Sequence, residues 1–150
     1  DVSITAIDIT PAMVERLRSR AAAIGLQVDA RVMDGQELAF ADGSFDAVIL
    51  HLIVAVIPDP VKCLREVARV LTPTGRAVVF DKFVPGDAPP SILRRLLNLA
   101  ANVVATDITR QLGPLVEGTG LRIVHREPAA FGGQFEIALL EPEADGRRTV

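Results

Sequence analysis

The sequence predicts an α/β fold of the Rossmann-like type: a mostly parallel sheet with helices on both faces and a C-terminal antiparallel hairpin. Strand-like and helix-like segments alternate up to residue 82, which indicates βαβ units. The last two strand-like runs, 121–127 and 134–141, are joined by a loop too short for a helical crossover, so they must be antiparallel. The length of 150 residues predicts a single domain over 1–150.

The expected elements follow from apolar spacing and from helix start and stop signals. Strands are predicted at about 3–8, 27–33, 45–51, 76–82, 121–127 and 134–141, and helices at about 11–24, 60–71, 91–105 and 108–117. Thr10 is expected to cap the first helix and Pro11 to occupy its first position. Gly25 is expected to end that helix, and Asp59 repeats the start signal before the second one. The core side of the first helix is predicted to be Val14, Leu17, Ala21 and Ile24.

Composition excludes several classes of protein. The net charge is -3 and the basic residues are scattered, which argues against nucleic acid as the main partner. Cys63 is the single cysteine, so no internal disulfide is possible and a cytoplasmic location is expected. No apolar run approaches the ~18 residues that a membrane span needs. The two histidines, His51 and His125, are far apart in sequence, so no metal site is predicted.

Two strand-like runs deliver a carboxylate to their C-terminal ends, where open parallel sheets bind ligands. Asp8 follows the run at 3–8 and suits the two hydroxyls of a ribose, because an ionised carboxylate accepts hydrogen bonds from both. Asp34 follows the next run and could accept a hydrogen bond from an adenine amino group, with Gly35 allowing close backbone approach. The alternatives are that Asp8 only caps the following helix and that Asp34-Gly35 is a plain turn.

Several segments resemble, in order, those of class I S-adenosylmethionine-dependent methyltransferases. They are Asp8-Ile9-Thr10-Pro11-Ala12-Met13, Asp34 to Phe40, Asp42 to Val48, Pro58-Asp59-Pro60 with Leu64 to Leu71, and Thr72-Pro73-Thr74-Gly75-Arg76. The set is most similar to the ubiquinone/menaquinone-biosynthesis-like group and covers roughly residues 3 to 141. The reversed last strand is also typical of that fold.

The resemblance implies S-adenosyl-L-methionine as the cofactor and methyl transfer to a small or amphiphilic, lipid-like acceptor. The cofactor-binding residues that it implies are Asp8, Ile9, Asp34, Gly35, Gln36 and His51. His51 would line the methyl-transfer cleft, where a neutral imidazole could act as a general base; a packed core histidine is the alternative. The apolar segments at 52–57 and 92–104 indicate an apolar acceptor, and a homodimer is an open alternative.

The sequence departs from the family at its beginning. The first strand and the acidic-Gly-x-Gly-x-Gly loop that precede the Asp8 segment in the family are absent, so we expect an N-terminally incomplete domain. The missing strand would lie between the strands at 3–8 and 45–51. Two other functions therefore stay open: a non-catalytic Rossmann-like module completed by a partner chain, and an NAD-dependent oxidoreductase.

Three further groups of polar residues have weaker functional interpretations. Asp81 and Lys82 end the fifth strand of the family pattern, where they could form a salt bridge or orient the substrate. Asp107 and Arg110, with Thr106 and Thr109, could form a capped helix start. Arg94 and Arg95 could meet an anionic head group or lie on a solvated helix face.

Overall fold

The computed structural model describes residues 2–83, 110–129 and 135–143 and has the predicted α/β architecture. In chain order the elements are β1 (Thr5–Asp8), α1 (Pro11–Ala23), β2 (Asp29–Val32), β3 (Phe45–His51), α2 (Pro60–Val70), β4 (Leu71–Lys82), α3 (Leu112–Val116), β5 (Leu121–Pro128) and β6 (Phe135–Pro142). The predicted helix at 91–105 lies outside the described residues. The chain divides into two compact units, one up to Ala39 and one from Phe40 onward.

The first unit is a two-stranded parallel sheet with one helix. β1 and β2 pair in register from Thr5 opposite Asp29 to Asp8 opposite Val32. Pro11 begins α1 as predicted, but the Thr10 side chain makes no capping hydrogen bond. The Thr10 amide instead donates to Asp8 Oδ1 at 2.7 Å, so the carboxylate of the preceding strand fixes the entry to the helix.

Helix α1 ends at a glycine and packs through a short apolar stripe. Gly25 has a φ of 68°, and the Leu26 amide donates to Ala21 O at 2.9 Å, which is the usual left-handed helix ending. Val14 and Ala21 are buried, as predicted. The prediction for Ile24 is wrong: it is 76% exposed because it lies one residue beyond the helix.

The second unit is a four-stranded sheet in the order β3-β4-β6-β5. β3 and β4 are parallel, whereas β6 is antiparallel to both β4 and β5. The predicted C-terminal hairpin is therefore confirmed, and its second strand inserts next to β4. Among the described residues, β1 pairs only with β2 and β3 pairs only with β4. The strand expected between 3–8 and 45–51 stays a prediction.

One face of this sheet carries the core. Alternate residues of the strands, among them Leu50, Val79 and Leu140, are buried against Leu64 of α2 and Leu112 of α3. The amphipathic spacing of α2 produces its buried side, and Asp59 caps its start by accepting from the Lys62 amide at 2.9 Å. The start predicted for this helix at Asp59 is thus confirmed.

Two predicted boundaries differ from the structure. β4 begins at Leu71 rather than at about 76, because Leu71 pairs with Phe45 before an irregularity in the register. The predicted helix at 108–117 is reduced to Leu112–Val116, since Gln111 has an extended backbone. Within the described ranges, no helix is long and apolar enough to cross a membrane.

Candidate functional site

The carboxyl edge of the first unit's sheet holds Asp8 and Asp34. Asp8 is the last residue of β1 and is partly buried. Its main-chain oxygen accepts from the Met33 amide at 3.1 Å, so the chain leaving β2 stays beside it. Asp34 follows directly. The structure therefore brings both predicted carboxylates to one edge of this sheet.

The turn after β2 is organised by the Asp34 side chain. Asp34 Oδ1 accepts from the Gln36 amide at 2.8 Å, and Gln36 Nε2 lies 3.0 Å from each carboxylate oxygen. The Glu37 amide donates to Asp34 O at 3.1 Å. Asp34, Gly35 and Gln36 thus form a local side-chain-stabilised turn, as the plain-turn alternative expected.

Ile9 and His51 lie at the ends of strands and have exposed side chains. Ile9 is 65% exposed immediately after Asp8. His51 ends β3 in the second unit, and its side chain is exposed rather than packed in the core. Its ring stacks on Phe80, with centroids 5.4 Å apart and planes 27° apart.

The aromatic neighbours of His51 are residues that the sequence analysis missed. Phe80 stacks in turn on Phe135 with a centroid separation of 5.4 Å, and Lys82 Nζ lies 5.2 Å from the Phe135 centroid. These side chains lie on the sheet face opposite the core, because Phe80 and Lys82 alternate with the buried Val79 and Asp81. That alternation was visible in the sequence, but the partner strand was not.

Asp81 and Lys82 do not form the predicted salt bridge. Neighbouring residues of a strand point to opposite faces, so the two side chains separate. Asp81 is 2% exposed and accepts from the Ala55 amide at 2.9 Å. Arg110 Nη1 donates to Val54 O and Ile57 O, each at 2.8 Å, and the capped helix start predicted with it stays a prediction. Thr106, Asp107, Thr109, Arg94 and Arg95 lie outside the described residues.

Each unit also contains a charged cluster. A hydrogen bond from Arg31 lowers the pKa of Asp29, which is at the amino end of β2. Arg69 binds Glu66 and Asp42, and these carboxylates raise its pKa above its usual value. No group of three potential metal ligands occurs within the part of the chain that the structure describes.

The residues at the carboxyl edge fit an adenosine group. Asp8 supplies an ionisable carboxylate for ribose hydroxyls, Ile9 supplies exposed apolar surface, and the Asp34 turn supplies further oxygen acceptors. All three kinds of group are concentrated within residues 8–36.

Comparison with known proteins identifies the family. Residues 2–79, more than half of the chain, match the family model described as a methyltransferase domain. The chain belongs to this methyltransferase family. The match confirms the class predicted from the sequence, S-adenosylmethionine-dependent methyltransferases, and confirms S-adenosylmethionine as the cofactor of that class.

Curated relatives include quinone-biosynthesis methyltransferases of the predicted group and a phosphatidylethanolamine N-methyltransferase. The phosphatidylethanolamine N-methyltransferase of Cereibacter sphaeroides is 29% identical over 136 residues, which are 89% of this chain and 67% of that protein. The demethylmenaquinone methyltransferase of Thermus thermophilus is 36% identical over 111 residues, or 74% of this chain and 47% of that protein. The ubiquinone biosynthesis O-methyltransferase of Xanthomonas axonopodis pv. citri is 39% identical over 74 residues, or 49% of this chain and 31% of that protein.

Solved structures confirm the fold. The crystal structure of the [4+2]-cyclase SpnF covers 95% of this chain, which spans 67% of that protein, with a TM-score of 0.75 and 18% identity. The mitomycin 7-O-methyltransferase MmcR gives a TM-score of 0.74 at 22% identity, with coverage of 95% of this chain and 42% of that protein. Because one of these two is a cyclase, the fold alone does not fix the reaction.

Proposed function

We propose that this chain binds the adenosine part of S-adenosylmethionine at the carboxyl edge of β1 and β2 and takes part in methyl transfer to a small or amphiphilic acceptor. The observation that carries the proposal is the placement of Asp8 and Asp34 at one sheet edge in a methyltransferase-family chain. Asp8 would accept the ribose hydroxyls, Ile9 would flank the adenine, and Asp34, Gly35 and Gln36 would form its polar side.

The methyl-transfer step depends more on correct placement of the acceptor than on acid–base chemistry. When bound, S-adenosylmethionine supplies a methyl group on an already activated sulfonium, so alignment of the acceptor lowers the barrier. We assign His51 to the acceptor side of this reaction. Its imidazole, held against Phe80, would accept a proton if the acceptor must lose one.

The apolar surface beside His51 supports an amphiphilic acceptor. Of the segment 52–57, Leu52 is 40% and Val56 is 46% exposed, whereas Val54, Ala55 and Ile57 are buried. Leu52 and Val56 are therefore the side chains of this segment that can contact an acceptor. The named acceptors of the curated relatives, phosphatidylethanolamine and demethylmenaquinone, have the same apolar character.

The proposal also includes the cellular location of the chain and its binding partners. A cytoplasmic protein is supported by Cys63, which is buried and is the single cysteine of the sequence. The absence of nucleic acid as a partner and a possible homodimer stay predictions from the sequence.

The test is calorimetric titration of S-adenosylmethionine into the native protein and into Asp8→Asn. Asparagine keeps an oxygen acceptor for the Thr10 amide, so the variant removes the charge and leaves the helix start intact. We expect a loss of about 1–3 kcal/mol in binding free energy, as for other hydrogen bonds to charged groups. Asp29→Asn, at the opposite end of the same sheet, is the matched control and should bind as the native protein does.

Three results would overturn the assignment. Equal affinity of Asp8→Asn and the native protein would remove Asp8 from the site. Binding of NAD in place of S-adenosylmethionine would favour the oxidoreductase, and binding of neither would favour a module completed by a partner chain.

A further inference from the structure

The segment that follows β3, residues 52–57, is a partly buried loop, and we call it the post-β3 loop. Val54 is 0%, Ala55 is 1% and Ile57 is 5% exposed. The Val56 and Ile57 amides donate to Ile53 O at 3.1 and 2.9 Å, which closes a turn within the loop. Because buried backbone groups need hydrogen-bond partners, the remaining amides and carbonyls of the loop must be satisfied from elsewhere.

Two charged side chains from distant parts of the sequence supply these partners. The Asp81 carboxylate accepts from the Ala55 amide at 2.9 Å, across 26 residues of sequence. Arg110 Nη1 donates to Val54 O and Ile57 O at 2.8 Å each. Asp81 thus accepts a hydrogen bond from an amide of the loop, and Arg110 donates hydrogen bonds to two of its carbonyls. Hydrogen bonds to ionised groups are stronger than neutral ones, so this arrangement fixes the loop firmly.

The start of the loop is strained. Leu52 has a φ of 56°, in the left-handed region that β-carbon-bearing residues rarely adopt. Its amide donates to Phe80 O at 2.9 Å. Strained backbone persists when the surrounding structure holds it in place. The bonds from Asp81 and Arg110 lie two to five residues further along, and His51 is the residue just before the strained one.

We propose that Asp81 and Arg110 are positioning residues that hold the post-β3 loop and thereby set the orientation of His51 and Leu52. This inference rests on the proposed function, which places His51 beside the acceptor. Neither positioning residue takes part in the chemistry. The competing explanation is that both residues only stabilise the core, so the test needs a measurement that a loss of stability alone does not change.

That measurement is the nuclear magnetic resonance of the two histidines in this chain, without any ligand. His51 follows the loop's orientation, whereas His125 is 63% exposed on β5 and provides an internal reference. We expect Asp81→Ala and Arg110→Met to shift the ring resonances of His51 and to leave those of His125 unchanged. We also expect the Ala55 amide to exchange about tenfold faster in Asp81→Ala, the effect of losing a hydrogen bond of ordinary strength.

Conservative variants and a matched control complete the experiment. Asp81→Asn keeps an oxygen for the Ala55 amide and Arg110→Lys keeps the charge, so both should fold and shift His51 less than the truncations do. Thr119→Val removes another buried hydrogen bond, from Thr119 Oγ1 to Val116 O at 2.6 Å, which involves no residue of the post-β3 loop. It should lower stability without moving His51.

The outcomes separate this inference from the proposed function. Unchanged His51 resonances in all four variants, or an equal shift in Thr119→Val, would overturn the positioning role even if S-adenosylmethionine binds. Failure of the native protein to bind S-adenosylmethionine would overturn the proposed function, while the His51 shift would still show whether the loop is held as inferred.

Discussion

The two units of the chain differ in how much core each one contains. In the described part of the first unit, the buried apolar residues are Val14, Ala21 and Ala30. The described part of the second unit has a cluster of fifteen buried residues between its sheet and its helices. The proposed cofactor carboxylates lie in the unit with the small core. Ligand-binding regions are often drawn from the less stable parts of a protein, and a ligand that binds there adds its binding free energy to their stability.

The largest expected effect is on the free energy of unfolding, at a buried leucine compared with an exposed one. Leu64 is fully buried in the second unit and Leu26 is 46% exposed in the first. Leu64→Ala should lower the free energy of unfolding by about 2–5 kcal/mol, because it leaves a cavity in a close-packed core. Leu26→Ala should lower it by less than about 1 kcal/mol. Denaturant unfolding measures both, and equal losses would contradict the contrast between the units.

A smaller effect separates two glycines with different constraints. A Cβ on Gly75 would lie 3.1 Å from Phe45 O and 3.0 Å from Thr72 Oγ1, so Gly75→Ala should cost about 1–3 kcal/mol through crowding. A Cβ on Gly25 meets nothing within 4 Å, but the φ of 68° disfavours most side chains. Asparagine tolerates that conformation. The midpoint temperature of thermal unfolding should therefore be higher for Gly25→Asn than for Gly25→Ala. At position 75 it should be higher for Gly75→Ala than for Gly75→Asn. The same ranking at both sites would be the contrary result.

The smallest effect concerns a surface ion pair of the first unit. The hydrogen bond from Arg31 lowers the pKa of Asp29 below its usual 3.8, so Arg31→Gln should raise it. A lowered carboxyl pKa stabilises the folded state above pH 3.8, and this contribution is lost as the pH falls through the folded-state value. Carboxyl resonance titration measures the pKa. Native protein and Arg31→Gln should differ in stability near neutral pH and converge in acid. A difference that persists unchanged in acid would show another cause.

Local signals in the sequence predicted most of the fold. Pro11, Asp59 and Gly25 mark helix boundaries that the structure confirms, because each acts through its own backbone or its near neighbours. The C-terminal hairpin followed from loop length alone. The exposure of Ile24 was missed because spacing does not show where a helix stops making contacts.

The candidate site was predictable only in part. Strand ends locate Asp8, Asp34 and His51 at carboxyl edges, since this placement depends on strand direction alone. The interactions of Asp81 and Arg110 with the post-β3 loop were not predictable. They join residues 26 to 56 positions apart, and such pairing depends on tertiary packing that no local pattern encodes.

The position of β6 has a consequence for protein synthesis. The strand lies between β4 and β5, although both precede it in the sequence. While the ribosome is still translating Phe135–Pro142, the backbone edge of β4 that pairs with β6 has no partner. Unpaired strand edges and exposed apolar surface promote aggregation of nascent chains. The described sheet of the second unit is therefore completed only after β6 emerges, and the edge of β4 stays open to other chains until then.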